Sequence, residues 1–130
     1  MDITSDERIR MRVAIPSETD AGLDSPRSGH FGHTPFFTIV TVEDGAVTSV
    51  ETVANVDHDA VGCGGVIDFA LGLDLDAIVV VGMGRPPFMR FTQGGIAVLA
   101  DATASTVGDV VAKLIAGKVP RMDSDAVCAH

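Results

Sequence analysis

The chain predicts an α/β fold, with a mostly parallel sheet sandwiched between helices. Three observations carry this. Ala77-Ile78-Val79-Val80-Val81 is a continuous run of mainly β-branched residues, the composition of a strand covered on both faces. Val107, Val110, Val111, Leu114 and Ile115 recur at helical spacing. Between two apolar runs sits Glu43-Asp44-Gly45, and Asp-Gly supplies the tight turn of a hairpin.

Taken in order, Met11-Arg12-Val13-Ala14-Ile15 is a first strand, stopped by Pro16. Residues 17–34 are rich in Gly, Ser, Asp and Pro and form a long loop; loops of that length are usually functional or mobile. Residues 36–42 and 47–53 are the hairpin arms, the second with the polar content of an edge strand. Residues 55–65 make another loop and open a helix whose apolar face holds Val66, Phe69, Ala70 and Leu73. The buried strand 77–81 ends at Gly82-Met83-Gly84-Arg85, and a short helix starts from Pro86 or Pro87, since proline suits a first helical position. Gly94-Gly95 turns the chain into the strand Ile96-Ala97-Val98-Leu99-Ala100. Thr106-Val107-Gly108-Asp109 resembles a capping box, with Asp in the acidic place, and Gly117 fits the stop of the last helix. The order β-β-β-α-β-α-β-α makes the first and fourth strands the natural central pair. Ligands of such sheets sit beyond the carboxyl ends of the strands, where the connections diverge.

At 130 residues, with 46% hydrophobic and 21% charged residues, the composition is that of one ordinary globular domain. Residues 1–10 read as a flexible N-terminal extension, 11–117 as the domain and 118–130 as a C-terminal tail. No apolar run approaches the ~20 residues that span a bilayer, and the acidic start lacks a signal peptide's basic region and apolar core. A cytoplasmic protein without a membrane role is expected. The net charge of −9 argues against nucleic acid as partner, because phosphate binders cluster Lys and Arg. Any anionic ligand has to be held by local donors against an unfavourable overall field.

Such donors occur in a few places. In Ser28-Gly29-His30-Phe31-Gly32-His33-Thr34, two histidines flank a Phe-Gly pair. Neutral imidazole ligates metals and protonated imidazole binds anions. The plainer reading is a tight loop, Phe31 tucked into the core and Gly32 at positive φ. Cys63 stands just ahead of a helix whose free N–H groups favour thiolate, and His58 precedes it on the same loop. With them, Cys128 and His130 complete a two-Cys, two-His set of the kind zinc takes, although Cys-x-His is not a standard zinc spacing and the segment also reads as a loose tail. Gly82, Gly84 and Arg85 lie between a buried strand and a helix start, where backbone N–H groups and a guanidinium can receive an anion. Arg27 is a further anion candidate, and Met83 offers a soft sulfur or simple packing.

Met11 to Ser17, Gly22-Leu23-Asp24-Ser25, Ser28 to Phe37 and Gly82-Met83-Gly84 resemble, in order and spacing, the dinitrogenase iron-molybdenum cofactor biosynthesis family. The likeness covers roughly residues 11–117, and Ser-x-His-Phe-Gly is its most specific part. The resemblance implies a three-layer α/β/α, ribonuclease-H-like fold. Its five-stranded mixed sheet has order 3-2-1-4-5, with strand 2 antiparallel. It also implies binding or carriage of a metal–sulfur cluster or precursor without catalysis. The expected cofactor is an iron-molybdenum or other metal–sulfur cluster, with zinc or another soft metal as the alternative. His30, His33, Gly82, Gly84 and Arg85 would hold the cofactor, and His30, Cys63, His58, Cys128 and His130 would ligate metal. Partners would be the cluster and a donor or acceptor protein of cofactor assembly. The two long loops could open for loading and release.

Two other classes stay in view. A regulatory module of metal homeostasis could dock a partner through the Gly-rich loops. A small enzyme could use a Cys63 nucleophile with His30 or His58 as base. A nuclease does not fit, because the first strand carries no acid.

Overall fold

The central strands are buried on both faces, and the alternating direction of their side chains sorts them into two cores. The computed structural model describes residues 10–122, apart from the side chains of His58, Asp59, Val61 and Cys63. Cys128 and His130 lie outside the described residues. The elements are β1 (Arg10–Ser17), β2 (Phe36–Glu43), β3 (Ala46–Ala54), α1 (His58–Leu71), β4 (Ala77–Val80), α2 (Arg85–Gln93), β5 (Ala97–Ala100) and α3 (Val107–Ile115), with a single 3-10 turn at Gly22–Asp24. They form one sheet of order β3-β2-β1-β4-β5. β2 runs antiparallel to β1 and β3, whereas β1, β4 and β5 are parallel. The predicted mixed sheet is the observed one.

Ala14, Ile39, Ile78 and Val80 face one layer, where Val66, Ile67 and Ala70 of α1 and Phe88 and Phe91 of α2 close the core. Val13, Ile15, Val40 and Val79 face the other, closed by Val107, Val110 and Val111 of α3. The hairpin turns on Asp44 and Gly45, both at positive φ (53° and 83°), as its two-residue loop requires. Thr106 caps α3 by accepting from the Asp109 N–H at 3.1 Å. The helix ends as a Schellman motif: Gly117 (φ 73°) donates to the Leu114 carbonyl and Lys118 to that of Lys113, at 3.0 and 2.9 Å.

Two expectations need correction. Pro16 does not stop β1, which continues to Ser17. Four residues earlier, Arg12 turns its N–H and carbonyl toward Asp76, ahead of β4. Pro16, in phase with it, faces a place where pairing with β4 has already ended at Ala14↔Ile78. The missing N–H therefore breaks no ladder bond, and the Pro16 carbonyl accepts from Ser28 N–H at 2.8 Å.

The helix expected after residue 65 begins instead at His58 and is broken at Gly62 (φ 72°, ψ 178°). The 17–34 loop, a long loop as expected, is stitched down along its length. Glu18 N–H reaches the Pro26 carbonyl (2.9 Å), Arg27 N–H the Ser105 carbonyl (3.0 Å) and Val107 N–H the Ser25 carbonyl (2.9 Å). Ser25 and Ser28 are buried within it.

Candidate functional site

β1 and β4 are adjacent and parallel, and their connections leave in different directions, which makes the gap beyond them the switch point of the sheet. The loop after β1 is anchored there residue by residue. Ser28 N–H binds the Pro16 carbonyl, and the Ser28 hydroxyl lies 3.2 Å from the His30 N–H and 3.3 Å from its carbonyl. Phe31 is buried, edge-on to Phe91 at 5.4 Å and tilted against Phe37 at 6.0 Å. Thr34, also buried, donates to the Ser17 carbonyl at 2.9 Å. Asn55 Nδ2 donates to the carbonyls of Gly32 (3.2 Å) and Thr34 (2.9 Å), tying the loop after β3 to the loop after β1. With its flanks and its central ring fixed, the loop exposes His30 and His33 on either side of Phe31. Gly32 is not among the residues of positive φ, so the expected reason for a glycine there does not hold.

Those residues form one wall of a cleft of about 520 Å³, lined by Gly29, His30, Phe31, Gly32 and His33. Gly82, Met83, Gly84, Pro86 and Pro87 complete the lining. Four of the five residues expected to hold a cofactor thus share one cavity. The fifth, Arg85, is the exposed first residue of α2 and is not part of the lining. Pro86 and Pro87 have no N–H, and the Phe88 N–H is bonded to the Gly84 carbonyl at 3.2 Å. The start of α2 therefore offers an anion few amides. Its prolines, Met83 and Phe31 instead give the cleft an apolar surface, which the sequence Gly-Arg-Pro-Pro could have signalled.

A second cavity of about 320 Å³ adjoins the first through Gly32 and His33 and is lined by Thr34, Pro35, Asn55, Val56 and Asp57. Its lining reaches Asp57, the residue before α1, the helix that carries His58 and Cys63. The side chains of both lie outside the described residues, as do Cys128 and His130. The Gly62 break makes Cys63 the first residue of a new helical segment, a backbone position close to the one expected. Among the described residues, no group of three or more His, Cys, Asp or Glu stands ready to hold a metal ion.

Arg27 is elsewhere. Its side chain is 5% exposed, and Nη1 pairs with Asp101 Oδ2 at 2.9 Å at the end of β5. Burial pushes its pKa down, and the attraction and hydrogen bond of Asp101 push it back up. For Asp101 burial acts upward. The Ala104 N–H, Lys113 and Arg27 outweigh it and hold the carboxyl down at about 2. This cluster is a structural lock between the loop after β1 and the loop after β5. Asp76 is likewise structural, accepting from the Arg12 N–H at 2.8 Å. Sequence reasoning singled out the histidines but not the Ser28 and Asn55 contacts that hold them, since neither residue type announces its partner.

The family model for dinitrogenase iron-molybdenum cofactor proteins matches residues 10–117. The chain belongs to that family. Among solved structures it is similar to PH0822, with 32% identity over 88% of this chain and 98% of that one and a TM-score of 0.73. A Thermotoga protein, TM1290, given as a candidate NifB protein of the DUF35 family, matches at 27% identity over 85% and 92%, TM-score 0.69. The apo orange protein of Desulfovibrio gigas, at 22% identity over 86% and 92% and a TM-score of 0.70, shares the fold. No curated protein matches. Among the described residues no helix is long and apolar enough to cross a membrane.

Proposed function

We propose that this family member binds a metal–sulfur cluster or its precursor in the cleft beyond β1 and β4, and hands it on without transforming it. The observation that carries the reading is the convergence of His30, His33, Gly82 and Gly84 on one cavity of about 520 Å³ at the switch point of the sheet. That volume lies in the range of about 300–1,000 Å³ usual for ligand sites. Imidazoles suit the metal atoms, and Phe31, Met83 and the two prolines suit the weakly hydrated sulfide faces. Cys63 would add a thiolate from the neighbouring helix start, with His58 beside it, and Arg85 would sit at the rim. A donor or acceptor protein of cofactor assembly, in the cytoplasm, would meet the exposed rim.

The test is anaerobic incubation with a thiomolybdate, or with iron and sulfide, followed by gel filtration. Visible absorbance should co-elute with the protein, and His30→Ala should lower the retained chromophore several-fold without changing the thermal midpoint. No retained chromophore, or a His30→Ala variant that loads as well as the wild type, would remove the proposal.

A further inference from the structure

The two histidines of the cleft hang from different clamps. His30 is held by Ser28, whose hydroxyl lies within 3.3 Å of both its N–H and its carbonyl. His33 stands between Gly32 and Thr34, and Asn55 Nδ2 donates to the carbonyls of both, at 3.2 and 2.9 Å. Phe31 separates the clamps, its ring buried against Phe37 and Phe91. Past the second clamp the chain is secured without the Asn55 side chain. The Thr34 hydroxyl donates to the Ser17 carbonyl at 2.9 Å, and the Asn55 backbone N–H to that of Pro35 at 3.0 Å. Removing the carboxamide alone therefore releases Gly32 and His33 and little else.

The carboxamide is oriented by these two bonds. Its Oδ1 is buried with no hydrogen-bond partner among the described residues, an unfavourable state for an acceptor. The reverse orientation would set Oδ1 against two carbonyl oxygens, so Nδ2 decides which way the amide faces. Asn55 lines the smaller cavity and not the cleft, whereas Gly32 and His33 line both. Its influence on the cleft must pass through them.

We propose that Asn55 is the positioning residue for His33. It fixes the backbone on both sides of that imidazole, so the cleft holds two histidines under separate control, His30 by Ser28 and His33 by Asn55. This role rests on the cluster-binding reading of the cleft and extends it to the residue behind the second imidazole. Ligating side chains need placement to within about 0.5 Å, which hydrogen bonds from behind the ligand supply. Asn55 also follows β3 and precedes α1, so its side chain ties the loop of His33 to the segment leading to Cys63.

Absorbance titration of the full chain with a thiomolybdate, run as a double-mutant cycle, tests this. His33→Ala and Asn55→Leu should each raise the dissociation constant about tenfold; the leucine keeps the branched shape and adds no charge. The double variant should bind no more weakly than His33→Ala, because Asn55 then has nothing to position. A general loosening of the fold would instead multiply the two losses. In the ligand-free protein, backbone amide order parameters should fall at Gly32 and His33 in Asn55→Leu and stay unchanged at His30. Should Asn55→Leu fold poorly, Asn55→Ala takes its place in the same cycle. Multiplied losses, an undisturbed His33 backbone, or a His33→Ala variant that binds like the wild type overturn the positioning role and leave the cluster reading standing. A wild type that takes up no thiomolybdate overturns both.

Discussion

The buried Arg27–Asp101–Lys113 cluster shows how unevenly two partners share one ion pair. Asp101, 8% exposed, receives Arg27 and Lys113 at 2.9 Å each and the Ala104 N–H at 2.9 Å. Arg27 has Asp101 alone as its ion-pair partner, and its Nε and Nη2 are buried with no hydrogen bond among the described residues. Losing the Asp101 carboxylate leaves a desolvated guanidinium bonded to the Asp101 backbone carbonyl but without a counter-charge; losing Arg27 leaves a carboxylate that still holds Lys113. Asp101→Ala should therefore cost about 3–5 kcal/mol, the scale for breaking one side of a buried pair, and Arg27→Met clearly less. Urea denaturation of the two variants gives the order, and a larger loss for Arg27→Met would reverse this account. The pH dependence follows from the same contacts. Because the Asp101 carboxyl is held at about 2 in the folded chain, below its ordinary 3.8, its contribution is present above pH 4 and is lost as pH falls toward 2. The stability gap between wild type and Asp101→Asn should thus be about 2 kcal/mol at pH 6 and shrink toward zero near pH 2.

At the scale of elements, Gly62 breaks α1 into two pieces of helix. Its φ of 72° with ψ of 178° belongs to a region almost closed to residues with a Cβ, yet an added Cβ would touch nothing within 4 Å. Gly64, two residues on, has equal space and no positive φ. Gly62→Ala is expected to destabilise by about 1–3 kcal/mol, and Gly64→Ala to be neutral or to stabilise by about 0.4–1 kcal/mol. Equal effects in chemical denaturation would show that the break is not held by backbone conformation. This break also marks where the chain could be read from its sequence and where it could not. The strands, the Asp44-Gly45 hairpin and the Thr106 and Gly117 ends of α3 were legible because each rests on residues within a few positions of one another. The early start of α1 was hidden by three glycines at 62, 64 and 65, which look like a loop when burial cannot be seen. The continuation of β1 through Pro16 depends on β4 ending where it does, a long-range fact. The site was legible in the same measure: His30, His33, Gly82 and Gly84 stood out by type, while the Ser28 and Asn55 bonds and the proline-lined wall depend on tertiary neighbours.

For the whole molecule, charge and cleft make opposing demands on the proposed ligand. The chain carries a net −9, and a thiometallate cluster is itself an anion, so long-range electrostatics resist their encounter. The cleft does little to offset this locally, since among the described residues no Lys or Arg lines it and two of the first three residues of α2 are prolines. Attraction must then come from coordination and apolar contact, both short-ranged and insensitive to salt. Raising ionic strength from about 0.01 M to about 0.15 M shortens the Debye length from about 30 Å to about 8 Å, which screens the repulsion and leaves those contacts intact. The association rate for a thiomolybdate should therefore rise with added salt, with little change in dissociation. Stopped-flow absorbance at the two ionic strengths measures both. A rate that falls with salt would instead place the anion against a local positive patch, with Arg85, between the lining residues Gly84 and Pro86, the first candidate.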